Sequence, residues 1–143
     1  MHFLSFVAYG AGWLRGGHSE RFAVSVMIIG YAYSSIAYRW RIDDFYWGSA
    51  IEGVVLLLIF GWLALRSDRW WPFVATAAMG LIMLVHVLSI LVPDLSRYSA
   101  VSARLGLWMV ADAALLAGVA ERWLAGEKPV SSAAVWRRRF GVP

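Results

Sequence analysis

"AMGLIMLVHVLSILVP", residues 78–93, is hydrocarbon interrupted by one histidine and closed by a proline. Extended back to Pro72, the run reaches the ~20 apolar residues that cross a bilayer core. Pro72 suits the first turn of such a helix, where a missing N–H costs nothing, and Pro93 stops it. The run reads as a membrane-spanning helix. His86 inside it needs a reason, because ionisable groups at that depth face the protein interior and mark function.

Three more runs of this kind flank it. The first spans Phe22 to Tyr38 and ends in the charged turn "RWRIDDF". The second spans Tyr46 to Leu65 and is closed by "RSDRWW". After the span ending at Val92, the loop "DLSRYSAVSA" leads to a fourth, Ala103 to Trp123. The opening stretch "MHFLSFVAYGAGWL" is apolar but too short to span, and it reads as an interfacial or re-entrant segment. Gly16 and Gly17 break the chain after it, and Ser19 is the expected cap of the next helix. The predicted fold is an all-α membrane protein: an antiparallel bundle of four transmembrane helices. Residues 1–21 form its interfacial N-terminal segment, 22–123 the bundle and 124–143 a basic tail.

Composition supports a bilayer as the solvent. Hydrophobic residues make up 61% of the 143, and charged residues only 15%, against about 25% charged in a soluble domain. A chain this short cannot hide so much apolar surface in a water-soluble core. Nine tryptophans and six tyrosines suit membrane–water boundaries, where an apolar ring and a polar tip are both satisfied. The absence of cysteine excludes disulfides, thiolate metal sites and cysteine nucleophiles.

The net charge of +4 comes from short loops and the tail, which points to orientation in a membrane and not to nucleic acid. With four spans, nine of the thirteen Lys/Arg fall on the side of the two termini. The positive-inside rule then places both termini in the cytoplasm. Usage rich in Arg, Ala, Gly and Trp suggests a bacterial inner membrane. Arg137, Arg138 and Arg139 in the tail read as an anchor for anionic lipid headgroups or a partner. Membrane lipids, other membrane subunits and copies of the chain itself are the expected partners.

Glu52, His86 and Asp112 fall inside the predicted spans, where a charge at the helix centre costs at least ~2.5–3.5 kcal/mol. Glu52 follows the boundary Trp47, and His86 precedes the boundary Pro93. At ~1.5 Å per residue both lie about 7–10 Å deep, and Asp112 lies about 12 Å below Arg104. Arg104, Trp108 and Asp112 form one i, i+4, i+8 stripe, and Tyr31 and Ser35 an i, i+4 pair. All these side chains are expected in one polar layer in the half of the bundle away from the termini.

Such a layer can lock helix pairing, with His86 bonded to Glu52 and Asp112 to a tryptophan, a hydroxyl or Arg104. It can relay protons. It can also ligate a divalent metal through Glu52, His86 and Asp112, the weakest of the three readings. No cofactor is predicted, and no GxSxG, Walker A, HExxH or CxxC pattern occurs. The chain therefore reads as a non-catalytic accessory or assembly subunit of a larger membrane complex. The alternatives are an oligomeric ion channel or proton-coupled small transporter built on the polar layer, and a holin-like pore former.

Overall fold

The structure is a computed structural model that describes residues 3–37, 39, 41–42, 45–92 and 96–127. The tail anchor Arg137–Arg139 lies outside these residues. Five helices follow in chain order: α1 (Phe3–Arg15), α2 (His18–Ala37), α3 (Trp47–Arg66), α4 (Trp71–Leu91) and α5 (Arg97–Leu124). Between α2 and α3, β1 (Arg41–Ile42) and β2 (Phe45–Tyr46) pair antiparallel, with Arg41 opposite Tyr46 and Ile42 opposite Phe45.

The expected four helices become five. The opening stretch is a 13-residue helix packed along α5 and α2. Its length had argued against a span, and at ~1.5 Å per residue it is about 20 Å long, short of a bilayer core. Small residues let it pack nonetheless: Ala8 is fully buried, and a Cβ at Gly12 would lie 2.6 Å from Val24 Cγ2.

Among the described residues, three helices are long and apolar enough to cross a membrane: Trp47–Arg66, Trp71–Leu91 and Tyr98–Leu124. They fit a membrane protein. α2, the expected first span, is not among them. It begins four residues earlier than expected and takes in Glu20 and Arg21, and its second half carries Tyr31, Tyr33 and Ser34. Those polar groups dilute an otherwise apolar helix.

Each helix packs against its chain neighbours, and α1 also packs against α5. The result is a ring, α1–α2–α3–α4–α5–α1. The starts of α2 and α4 share one end with the ends of α1, α3 and α5, called the lower end below. The lower half is filled by Trp71, Phe60, Met27, Met79, Leu115 and Val24, all essentially inaccessible. A Cβ at Gly118 would lie 2.3 Å from Trp71 Cδ1, so only glycine lets α5 lie against that indole. The upper half is not filled.

Candidate functional site

The upper half encloses a cavity of about 580 Å³ that draws its walls from all five helices. α1 supplies Ser5 and Tyr9, α2 Tyr31 and Ser34, and α3 Ser49 and Glu52. α4 supplies His86, and α5 supplies Arg104, Trp108 and Asp112. Of the residues expected in a polar layer, Glu52, His86, Asp112, Arg104, Tyr31 and Trp108 all line this one space. The backbone of Ser35 is in α2, but its side chain lies outside the description.

The pairings differ from those expected. Ser34 donates its hydroxyl proton to Glu52 Oε2 at 2.7 Å. Among the described residues Glu52 Oε1 is buried with no hydrogen-bond partner, and a Cβ at Gly30 would lie 3.2 Å from it. Ser5 donates to Asp112 Oδ2 at 2.6 Å, whereas Asp112 Oδ1 is buried without a partner among the described residues. A hydroxyl had been one expected partner for Asp112, although α1 was not the expected source. His86 meets Arg104, whose Nη1 lies 3.4 Å from Nε2 and 3.5 Å from Nδ1. Arg104 Nε also donates to the Ala100 carbonyl at 3.3 Å.

Each carboxyl group thus has one oxygen held by a serine and one left over. Unmet buried oxygens are costly, so such a group is poised to take a proton, a cation or a hydrogen-bond donor such as water. Among the described residues no three His, Asp or Glu side chains stand close enough to hold a metal ion. Glu52, His86 and Asp112 share a cavity without forming a ligand cluster.

Exposure is uneven around the cavity. Glu52 and Asp112 are 8% and 2% exposed, whereas Tyr31, Leu105 and Met109 are 57%, 42% and 40% exposed. The carboxyls therefore sit at the back, and the mouth lies between α2 and α5. Below that mouth α1 occupies the gap, with Ser5 level with Asp112.

A third buried carboxylate was not foreseen. Glu20 is fully buried near the lower end. Its Oε2 accepts the Gly17 backbone N–H at 2.8 Å, and its Oε1 accepts the Trp71 indole N–H at 3.1 Å. Arg122 Nη1 stands 4.0 Å from Oε2. The glutamate reaches back to the N-terminus of α2 as in a capping box. It takes the place expected for Ser19, which lies inside the first helical turn.

Nearer the surface Arg69 pairs with Glu121 at 3.3 Å and with Glu127, and Arg122 pairs with Glu127 at 3.1 Å. The hydrogen bond to Glu127 raises the Arg69 pKa above its already high ordinary value.

The sequence reading also missed Ser5, Tyr9, Ser34 and Ser49. Serine spacing carries no signal by itself. Ser34 was legible only as the neighbour of Ser35, and choosing between them needs the rotation of α2. No protein-family profile, no curated protein and no solved structure matches this chain.

Proposed function

We propose that this protein is a small membrane carrier that exchanges protons for a cation in its central cavity. One observation carries the reading: two buried carboxyl groups, each with a bare oxygen, face a cavity that holds one arginine. Fixed charges of that kind are rare in a bilayer and go with ion and proton pathways. Glu52 and Asp112 are the exchange sites. Ser34 and Ser5 hold the carboxyls in place. Arg104 and His86 close the upper wall.

The test is proton movement in liposomes. The full chain is reconstituted with a pH-sensitive dye inside, and cations are added outside. The expected result is a cation-triggered pH change that Glu52→Gln abolishes. No proton movement with any cation over a broad pH range would remove the carrier reading.

A second reading, assembly into a larger membrane complex, has its own support. An apolar groove of about 470 Å³ runs between α1 and α2, lined by Phe6, Trp13, Leu14 and Ile28. A helix too short to span beside an open apolar groove suits a neighbouring subunit. The native mass of protein purified in mild detergent from its own host tests this: extra polypeptides support it, and a pure homo-oligomer argues against it.

A further inference from the structure

We infer that the cation is an amphiphile, a monovalent ammonium head on an apolar tail, which enters sideways between α2 and α5. The inference rests on the carrier reading and names its substrate class.

Charge comes first. Among the described residues, Glu52 and Asp112 face the cavity together with one fixed cation, Arg104. Arg104 Nη1 stands 3.4 Å and 3.5 Å from the two ring nitrogens of His86, and a guanidinium so close disfavours a second positive charge, so His86 is counted as neutral. With both carboxyls ionised the cavity is one positive charge short. One proton or one monovalent cation restores neutrality. A zwitterion leaves the deficit, and a divalent ion overshoots it.

Shape comes second. At about 580 Å³ the cavity is far larger than an inorganic ion needs, and it falls within the range of sites for small organic molecules. Apart from its few polar groups the wall is hydrocarbon and sulfur, including Leu105 and Met109. Trp108 is part of the wall, and an indole ring attracts an ammonium ion placed over its face.

Access comes third. The exposed lining residues lie on the α2 and α5 sides, and both carboxyls lie at the back. The apolar groove between α1 and α2 shares Ser5, Tyr9 and Tyr31 with the cavity. A head among the carboxyls therefore has an apolar path for its tail toward the bilayer. Water-borne ions have no use for such a path.

The test is isothermal titration of the full chain in nanodiscs, corrected with empty nanodiscs. The ions are methylammonium, butyltrimethylammonium and octyltrimethylammonium, with octylphosphocholine as the zwitterion. Repeating each titration in buffers of different ionisation heat reads the protons released. The expected affinity rises about threefold to fourfold per methylene from butyl to octyl. Proton release is expected with the octyl ion and not with the zwitterion. Glu52→Gln and Asp112→Asn should each weaken the octyl ion at least about tenfold, the scale of one lost charged contact. Leu105→Trp at the mouth should weaken it too.

Equal affinity for methylammonium and the octyl ion, with protons released by both, would overturn the amphiphile and leave the carrier standing. Binding of the zwitterion as tightly as the octyl ion would overturn the charge argument. Proton release by none of these ions would overturn this inference, and the carrier falls with it only if inorganic cations also move no protons in the liposome assay.

Discussion

Glu20 and Glu52 are both buried glutamates in one small bundle, and they are held in opposite ways. Glu20 sits where the ring is packed solid. Both of its oxygens accept an N–H, and Arg122 stands nearby. Glu52 sits where the ring is hollow. One oxygen has a serine, and the other has nothing. A fully partnered buried charge fixes geometry, and removing it leaves donors stranded. A half-partnered one beside empty space is poised to take a proton or a ligand. Burial alone does not separate structure from function; the difference lies in what remains unmet.

The largest expected effect breaks the lower site. Glu20→Ala leaves the Trp71 indole N–H and the Gly17 N–H without an acceptor and Arg122 with only Glu127. The cost should be about 3–5 kcal/mol, the range for breaking a buried pair. Reversible unfolding in mixed micelles measures it. A loss under about 1 kcal/mol, the scale of a surface pair, would mean that Glu20 does not hold α2, α4 and α5 together.

The next effect compares two glycines on one helix. Gly118→Ala pushes a Cβ into the Trp71 ring and should cost about 1–3 kcal/mol, the usual range for overpacking. Gly106→Ala, higher on α5, meets nothing within 4 Å. There alanine should stabilise the helix by up to about 1 kcal/mol, through its better helix propensity. If both substitutions cost alike, the tight seat of α5 on the Trp71 indole is not what sets Gly118 apart from the exposed Gly106.

That contrast was only partly legible in the sequence. Long apolar runs gave three helices and their order, because hydrocarbon length alone decides whether a helix can cross a bilayer. Residue depth put Glu52, His86 and Asp112 in one half, because rise per residue is fixed, and all three line one cavity. Rotation was not legible, so Ser34 was passed over for Ser35, and His86 was assigned to Glu52 when Arg104 stands beside it. α1 was read as interfacial because 14 apolar residues do not span; its packing depends on Ala8 and Gly12 meeting partners far along the chain. Glu20 was not singled out, because it falls in the short polar stretch between Gly17 and the first apolar run. Its partners Trp71 and Arg122 come together only in the folded ring.

The upper site should respond to mutation in the opposite sense. Glu52→Gln keeps a carbonyl for the Ser34 hydroxyl and removes a charge that lacks a full set of partners. Stability should change by less than about 1 kcal/mol, and a gain is the expected sign, because half-satisfied buried charges cost more than neutral groups of the same shape. Proton exchange should nevertheless be lost. A loss of stability as large as that of Glu20→Ala would make Glu52 a second lock and end the comparison.

The smallest effect tests where the lower lock stops. Arg69 bonds Glu121 and Glu127 at the rim, with its side chain 22% exposed. Arg122 also holds Glu127, so losing Arg69 leaves that carboxylate one partner. Rim ion pairs contribute about 0–1 kcal/mol, and salt screens them. Arg69→Ala should therefore cost under about 1 kcal/mol, and less still in high salt. Arg122→Ala should cost clearly more and resist salt, because Arg122 also faces the fully buried Glu20. If Arg69→Ala were as damaging as Arg122→Ala, the rim pairs and the Glu20 site would act as one network. The fixed end of the bundle would then extend to the surface, and the hollow upper half would be its only adjustable part.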